Sequence, residues 1–300
     1  MIYLTIFTAT FNRAYILPNL FHSLMKQTCM DFEWLIVDDG SVDQTEQMVQ
    51  SWDKEKPPFL IRYYKKENGG KPRAINFGIQ RSQGKFFFMV DSDDWLLPEA
   101  VEKMCRWCKC IEDDPKYIGI GAAKGYPDGT YLKGSAPKVG QYGYVDATNL
   151  QRAEYNLDAD MCEAYKTQLF KRYPMAEWPG EKFAPEQIAL NEIALDGYLL
   201  RWYPDIIYYC DYLEDGLTKG SRMLEKNNPM GYAMMYNHML KYPQLSPKRK
   251  LYDACQMVAL SIVGKHPEYI LKCENKKMAI LALVPGILLS IRRILQYRKI

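Results

Sequence analysis

Short apolar segments alternate with helical patterns through the first 115 residues, and this alternation restricts the fold more than any other feature of the chain. The four segments read YLTIFTA, FEWLIV, LIRYYK and KFFFMV. Continuous apolar runs of this kind, separated by helices, are typical of a parallel sheet that is covered on both faces. We therefore predict an α/β fold with a mostly parallel, Rossmann-like sheet.

A polar cluster lies at the end of each of the four predicted strands. TATFNR closes the first strand, and DDGS, ENGG and DSDD follow the second, third and fourth. In open α/β sheets, ligands bind in the crevice outside the carboxyl ends of the strands. We therefore predict that the four clusters meet at one edge of the sheet and form a binding site there.

The fourth cluster is the most acidic, because Asp91, Asp93 and Asp94 lie within four positions with no basic residue among them. In an extended segment Asp91 and Asp93 point the same way. Carboxylates suit a hard divalent cation, Mg2+ or Mn2+, which takes its other ligands from water and from substrate phosphates. The cluster therefore predicts a cation site, and capping of the next helix is an alternative for Asp94 alone. Trp95 and Leu96 exclude an EF-hand loop.

The second and third clusters offer groups that suit a nucleotide. Asp38 or Asp39 could accept a hydrogen bond from a ribose hydroxyl or a base N–H. The glycine pair of ENGG permits a close backbone approach, and Lys71 suits a phosphate. The alternative is that one aspartate caps the next helix, although Ser41, with Gln44 as its reciprocal partner, is the predicted cap. TATFNR contains no glycine, which argues against a dinucleotide-binding fingerprint and a nicotinamide dehydrogenase.

TATFNR, VDDGS, NGGKPRAIN and VDSDD, in this order and spacing, resemble the motifs of the family-2 glycosyltransferases with the GT-A fold. The resemblance covers about the first 115 residues. It implies a nucleotide-sugar donor, commonly a UDP-sugar, and transfer with inversion at the anomeric carbon. It also implies that Asp91 and Asp93 form the DxD pair, which touches ribose and metal, with Asp94 as a further metal or ribose contact. The donor-binding residues that it implies are Thr8, Thr10, Asn12, Asp38, Asp39, Gly70, Lys71, Asn76, Asp91, Ser92 and Asp93.

Such enzymes also need a base that deprotonates the acceptor hydroxyl. Many relatives supply it from a Glu-Asp pair that opens a helix in the second half, and the corresponding stretch here, GEKFAPEQIALNEI, lacks that pair. Glu186 occupies the aligned position, and the resemblance implies that it is the base. Asp160, Glu163 and Glu192 are alternatives, and Glu186 could instead be a plain acid in the first turn of a helix.

Beyond residue 115 the pattern is looser. It predicts a turn or hairpin in 125–134, a helix in 185–196, a strand in 199–212 and a helix in 248–264. Two cations of one polar loop, Lys219 and Arg222, could close over a departing diphosphate or simply lie in solvent. We predict a nucleotide-sugar-binding half (1–115), an acceptor-binding half of the same domain (116–225) and a helical C-terminal extension (226–300).

Charge and cysteine content exclude some other classes. A formal net charge of +3 over 300 residues gives no reason to expect nucleic acid as a partner. Cys105, Cys108 and Cys110 form a tight group, but a zinc site needs four ligands and no second cluster is visible. The amino terminus lacks the features of a signal peptide, so the cytoplasm is the expected compartment.

The C-terminal segment is basic around an apolar centre. Residues 278–291, MAILALVPGILLSI, are followed by RRILQYRK. Fourteen mostly apolar residues are fewer than the roughly twenty that span a bilayer, and Pro285 and Gly286 weaken a spanning helix further. We predict a helix that lies on an anionic membrane surface, at the inner face of the plasma membrane. A helix packed on the domain is the alternative.

These observations together predict an inverting, metal-dependent glycosyltransferase that acts on a glycan or lipid-linked acceptor in bacterial surface polysaccharide biosynthesis. One alternative is a sugar-phosphate nucleotidyltransferase, but it usually needs a Gly-rich loop after the first strand, which TATFNR does not supply. The other is an inactive nucleotide-sugar-binding protein at the membrane, which would be consistent with the missing Glu-Asp pair.

Overall fold

The computed structural model describes residues 2–210 and 221–298, in which nine strands form one sheet. The strands are β1 (Leu4–Thr10), β2 (Phe32–Asp38), β3 (Leu60–Lys65), β4 (Phe86–Met89), β5 (Trp95–Leu96), β6 (Tyr117–Gly125), β7 (Val145–Ala147), β8 (Met161–Lys166) and β9 (Leu199–Tyr209). Their order across the sheet is β3-β2-β1-β4-β8-β6-β9-β5, and β7 pairs with β9.

The α-helices lie between these strands and in the C-terminal part of the chain. They are α1 (Leu17–Met25), α2 (Thr45–Ser51), α3 (Lys71–Ile79), α4 (Ala100–Lys109), α5 (Thr167–Phe170), α6 (Gln187–Leu195), α7 (Ser221–Asn227), α8 (Pro229–Met239), α9 (Pro247–Val263) and α10 (Lys276–Tyr297). Short 3-10 helices cover Trp52–Glu55, Asn149–Gln151 and Pro267–Lys272.

The first four strands are parallel, as their continuous apolar sequences predict. β1 pairs with β2 on one side and with β4 on the other, and β3 extends the sheet beyond β2. Phe86, Phe87 and Phe88 of β4 are all buried, because helices cover both faces of this part of the sheet. The predicted α/β sheet with flanking helices is therefore confirmed in this half.

The sheet continues into an antiparallel part that the sequence did not predict. β8 runs antiparallel to both β4 and β6, whereas β9 is parallel to β6. The predicted strand in 199–212 corresponds to β9, and the predicted turn in 125–134 is present, with Tyr126 N donating to Thr130 O at 2.9 Å. β5, β6, β7 and β8 were missed because their sequences are short, small or mixed in polarity.

Aromatic stacking fixes α1 and the 3-10 helix after α2 on one face of the sheet. Phe21 of α1 stacks on Trp52 with ring centres 4.4 Å apart, and Trp34 of β2 lies 5.3 Å from Trp52. All three side chains are buried. Large buried rings contribute strongly to stability, so this cluster anchors the elements whose ends carry the first two polar clusters.

The chain divides into two compact units. Among the described residues, the first unit contains 2–174 and 190–210, and the second contains 175–189 and 221–298. The second unit has a helical core of its own, in which Met230, Ala254 and Met257 are fully buried. The sheet crosses residue 115 without a break, and the predicted functional division at 115 and 225 stays a prediction.

One local prediction, the cap of α2, was wrong. Ser41 does not cap α2, because that helix begins at Thr45 after Gln44, without a side-chain cap. The apolar C-terminal segment is longer than its apolar centre suggested: α10 is one helix of 22 residues that continues through Pro285, and it is long and apolar enough to cross a membrane by length and composition. The flanking lysines and arginines belong to the same helix, which is why counting apolar residues alone understated its length.

Candidate active site

The carboxyl ends of the parallel strands meet at one edge, as predicted. Thr10 at the end of β1 lies opposite Asp38 at the end of β2, and Asp38 lies opposite Lys65 at the end of β3. Backbone bonds continue this register beyond the strands: Asp39 N donates to Thr10 O at 2.8 Å, and Val90 N donates to Phe7 O at 2.9 Å. The four polar clusters therefore begin at the same edge of the sheet.

Asp38 is fully buried, and its carboxylate is hydrogen-bonded to groups of the protein itself. One carboxylate oxygen accepts from the Ser41 backbone N–H at 2.7 Å, and the other accepts from the Tyr63 hydroxyl. A buried carboxylate with both oxygens bonded has no surface to offer a ligand. These contacts support a positioning role in the turn after β2 rather than the direct donor contact predicted for Asp38.

Asp39 holds the ENGG cluster in place. One of its oxygens accepts from Gly69 N at 2.9 Å and from Lys66 Nζ at 2.7 Å, and the other accepts from Gly70 N at 2.6 Å. Gly40 lets the two turns approach closely, since a Cβ there would lie 2.9 Å from Asn68 N. Asp39 thus fixes the backbone that leads into α3 and Lys71.

The turn after β1 is joined to the turn after β2. Asn12 has a left-handed backbone (φ 54°), its N–H donates to Ser41 Oγ at 2.8 Å, and its side-chain oxygen accepts from Val42 N at 2.9 Å. Thr8 is fully buried and accepts from Trp34 Nε1 at 3.0 Å. The Thr10 hydroxyl is buried and has no hydrogen-bond partner among the described residues. Thr8 therefore supports the strand, whereas Thr10 retains an unused polar group at the edge.

The three acids of the fourth cluster differ in their surroundings. Asp91 lies 2.7 Å from Lys71 Nζ through one oxygen and 3.5 Å from Lys124 Nζ through the other. Asp94 is buried, 3.8 Å from Lys124 Nζ. Asp93 has a 24% exposed side chain and lies 3.8 Å from Arg13, farther from its cation than Asp91 is from Lys71.

Lys124 of β6 is the central cation of this site, and the sequence analysis missed it. Its side chain is 5% exposed, it lies 2.9 Å from Asp160, and its ammonium sits 4.3 Å from the centre of the Tyr208 ring. A buried lysine is rare unless it is paired. The available signal was a single lysine in the small apolar run IGIGAAKG, but its partners come from distant parts of the chain and become neighbours only in the folded sheet.

The pKa values of the three acids diverge. Burial works against ionisation of Asp91, but Lys71 and Lys124 outweigh it and hold the pKa of Asp91 well below its usual range. Burial, together with the charge of Asp91, raises the pKa of Asp93. Burial raises the pKa of Asp94 to about 7, although Lys124 opposes the shift. Burial, and to a lesser extent the neighbouring carboxylates, thus disfavour the ionised forms of Asp93 and Asp94, which a bound cation would favour.

The three aspartates do not form a ready-made metal cluster. Within residues 2–210 and 221–298, no group of three or more His, Cys, Asp or Glu side chains is placed to hold a metal ion. Asp91 contacts Lys71 and Lys124, and its role as a metal ligand stays a prediction. Mg2+ and Mn2+ commonly use one or two carboxylates and complete their shell with water and substrate phosphates. Asp93, with Asp94 beside it, fits that mode.

Capping does not account for Asp94. The helix that follows, α4, begins at Ala100 after Glu99, without a side-chain cap. The acid instead points to the buried side of the cluster, where Lys124 lies. Asp94 is therefore not the N-cap of α4.

The other predicted residues are distributed as follows. Ser92 is buried in the acidic turn, and Asn76 is half-buried on α3, five residues beyond Lys71. Glu186 is half-buried and directly precedes α6, in the second unit. Its role as the base stays a prediction.

The alternative bases are also separated by the fold. Asp160 contacts Lys124 and so belongs to the acidic site, whereas Glu163 is paired with Arg152 at 3.1 Å. Glu192 lies within α6. Arg222 is exposed on α7, and Lys219 lies outside the described residues.

Comparisons with known proteins agree with this architecture. The sequence model described as "Glycosyl transferase family 2" matches residues 5–173. The putative glycosyltransferase EpsH of Bacillus subtilis is 28% identical over 136 residues, which cover 41% of this chain and 39% of EpsH. The chain thus matches well under half the length of this curated relative.

Two solved structures share the fold. The Staphylococcus aureus TarS fragment 1–349, in complex with UDP-GlcNAc, superimposes with a TM-score of 0.63 at 20% identity, covering 96% of this chain and 81% of TarS 1–349. The mannosyltransferase PcManGT of Pyrobaculum calidifontis, in complex with GDP-Man and Mn2+, gives a TM-score of 0.56 at 14% identity, covering 97% and 84%. The predicted GT-A fold is confirmed. Since the family match runs from β1 to beyond β8 and takes in more than half of the chain, the protein belongs to glycosyl transferase family 2.

Proposed function

We propose that this protein is an inverting glycosyltransferase that moves a sugar from a UDP-sugar to a hydroxyl of a glycan or lipid-linked acceptor, in the presence of Mg2+ or Mn2+. The observation that carries the proposal is the acidic turn after β4. It lies at the carboxyl edge of the parallel sheet and gathers three carboxylates, of which Asp93 and Asp94 have pKa values raised by burial and by the other acids. Family membership, together with the complexes of TarS with UDP-GlcNAc and of PcManGT with GDP-Man, supports a nucleotide-sugar as the donor.

The residues around the edge have distinct tasks in this proposal. Asp38 and Asp39 fix the turns that shape the donor site, and Thr10, Gly70 and Lys71 line it. Asp93, with Asp94 beside it, would hold the Mg2+ or Mn2+ ion, which offsets the negative charge on the departing diphosphate.

Lys71 and Lys124 keep Asp91 ionised and in place. Asp91 can then accept from a donor hydroxyl. Because the positions of these groups are set by ion pairs before any ligand arrives, little reorganisation accompanies binding.

A base must take the proton of the acceptor hydroxyl as that oxygen attacks the anomeric carbon. Glu186 is our first candidate, on the strength of its alignment with the family base. Asp160 is the second, because its contact with Lys124 places it in the acidic site. No covalent intermediate is needed, since one displacement inverts the anomeric centre.

For the biological role we propose a step in bacterial surface polysaccharide synthesis, at the inner face of the plasma membrane. The similarity to EpsH supports a bacterial glycosyltransferase, and a lipid-linked acceptor would be met at the membrane.

Donor hydrolysis tests the proposal without knowledge of the acceptor. The purified protein with UDP-sugars and Mn2+ should slowly release UDP, and Asp93→Ala should reduce that release at least a hundred-fold, in line with the loss of a metal-holding group. The matched control is Asp158→Ala, an exposed acid paired with Lys133 outside the site, which should keep full release. Binding of UDP-sugar without release would favour the inactive-binder alternative.

The two candidate bases are separated by transfer assays once an acceptor is found. Glu186→Gln should abolish transfer while donor hydrolysis and donor affinity remain. If Glu186→Gln transfers normally and Asp160→Asn does not, Asp160 is the base. A protein that releases pyrophosphate from a nucleoside triphosphate and a sugar phosphate would be a nucleotidyltransferase instead.

A further inference from the structure

One face of α10 exposes a continuous apolar stripe. Half of the exposed large hydrophobic side chains in the described chain lie on this single helix. Ile280 and Val284 are each 70% exposed, and Leu281 and Leu288 are 61% and 62% exposed. The stripe consists of Ile280, Leu281, Leu283, Val284, Ile287, Leu288, Ile291, Ile294 and Leu295. Exposed apolar surface of this extent marks a contact with a partner or a membrane.

The opposite face of α10 is packed on α9. Its buried residues are Ala279, Ala282, Gly286 and Ser290, at spacings of three and four residues that place them on one side of the helix. The approach is close, because a Cβ on Gly286 would lie 2.6 Å from Val258 Cγ1. The helix is therefore held side-on against α9, with the apolar stripe turned outward.

Polar contacts hold the C-terminal end of α10 in this position. Arg293 is ion-paired with Glu225 of α7 at 2.8 Å, and Lys226 Nζ donates to Tyr297 O at 2.9 Å. The neighbouring helix α9 carries an ion pair of Arg249 with Asp253 at 3.0 Å. To cross a bilayer, α10 would have to leave these contacts or take charged groups of α9 into hydrocarbon, which is costly.

Cations stand at both ends of the stripe. Lys272, Lys276 and Lys277 are exposed before or at the start of α10, and Arg292 and Arg298 are exposed near its end. Between residues 270 and 298 the one acid is Glu274. This charge distribution complements an anionic surface, and each cation near such a surface strengthens binding about five-fold.

We propose that α10 docks flat on an anionic lipid bilayer. Its apolar stripe enters the boundary between headgroups and acyl chains, while the lysines and arginines at its ends contact lipid phosphates. The small-residue face stays on α9, so the helix lies in the plane of the membrane and does not cross it. This docking surface does not depend on the donor site or on catalysis.

Vesicle co-sedimentation of the full chain tests the proposal. We expect binding to phosphatidylcholine vesicles that contain one-third phosphatidylglycerol, binding at least ten-fold weaker to phosphatidylcholine alone, and weaker binding in high salt. The triple variant Leu281→Gln, Val284→Gln, Leu288→Gln should lose at least ten-fold in partitioning onto the anionic vesicles. The matched control, Leu60→Gln, Val139→Gln, Tyr142→Gln, removes three exposed apolar side chains elsewhere and should bind like the wild type.

Further measurements decide between docking modes. Carbonate extraction should release the protein from the vesicles, and resistance to extraction would overturn the in-plane arrangement. Light scattering without lipid should give a monomer for the wild type. A dimer that the stripe variant dissociates would assign the stripe to a second copy and overturn the proposal, as would a stripe variant that binds vesicles as tightly as the wild type. Thermal unfolding of each variant shows that it is folded.

Discussion

Two acidic turns lie at the same edge of the sheet, and they use their carboxylates differently. In the turn after β2, Asp38 and Asp39 are 0% and 5% exposed, and their oxygens accept from backbone N–H groups, a tyrosine hydroxyl and Lys66. In the turn after β4, Asp93 has a 24% exposed side chain 3.8 Å from Arg13, and Asp91 and Asp94 face lysine side chains. The sequences VDDGS and VDSDD look alike, yet the carboxylates of the first bind backbone N–H groups, whereas those of the second face the side-chain cations Lys71, Lys124 and Arg13.

The difference lies in what each turn meets. Carboxylates that accept from backbone amides fix the path of the chain, so their removal lowers the free energy of unfolding. Carboxylates that are balanced by a few lysines remain responsive to another cation. The two turns should therefore respond in different ways to the removal of a cation, to pH and to the removal of a carboxylate.

The largest effect is expected from Lys124→Met. It removes the buried cation that Asp91, Asp94 and Asp160 share and leaves buried negative charge without its partner, which should cost about 3 to 5 kcal/mol of unfolding free energy at pH 8. Urea unfolding measures it. The control is Lys103→Met, which breaks a half-exposed pair with Asp205 and should cost under about 1 kcal/mol. Equal losses in the two variants would contradict the central role of Lys124.

Lys124 also shows which part of the site could not be predicted from the sequence. β1 to β4 were predictable because each is a continuous apolar run, and the common edge followed from the geometry of parallel strands. Lys124 was not predictable, because Asp91 and Asp160 lie 33 and 36 positions away and are brought to it only when β8 inserts between β4 and β6. The alternation of strands and helices in the sequence predicts the carboxyl edge of the sheet. The ion pairs formed at that edge depend on the order of the strands, which the sequence pattern does not give.

The next effect concerns pH and Asp94. Its pKa in the folded protein is raised to about 7, mainly by burial, so the folded state binds a proton that the unfolded state releases near pH 4. Stability from this group is fully present below pH 4 and is lost as the pH rises to about 7, by about 2 to 4 kcal/mol. Urea unfolding between pH 4 and 8, with chelator present, measures it.

Asp94→Asn is the control for this pH dependence, since its side chain does not titrate. The variant should show a flatter curve over the same range and should be the more stable protein at pH 8. Asp91, whose pKa is held low, has the opposite pH dependence, because its stabilising contribution is present above about pH 4 and is lost only as the pH falls below that value. An unchanged slope in Asp94→Asn would assign the titration to another group.

Removal of Asp39 tests the frame-building turn. Asp39→Ala leaves Gly69 N, Gly70 N and Lys66 without their acceptor, which should cost about 2 kcal/mol and raise the KM for the donor, because the backbone before Lys71 is no longer fixed. Asp128→Ala, which removes an exposed turn acid that accepts from Thr130 N, should change stability little. Denaturant unfolding and donor titration measure the two effects. A loss of activity with unchanged stability would make Asp39 a ligand contact instead.

The smallest effect is expected from Lys66→Met, the counterpart of Lys124→Met in the other turn. Lys66 lies 2.7 Å from Asp39, but two backbone N–H groups still donate to that carboxylate after the substitution. The loss should therefore stay under about 1 kcal/mol, as for other partly exposed ion pairs, and it should shrink further in high salt. Urea unfolding of both lysine variants in one buffer makes the comparison direct. A loss for Lys66→Met as large as that for Lys124→Met would mean that the turn after β2 also relies on its cation, and that the two turns are held by the same kind of interaction.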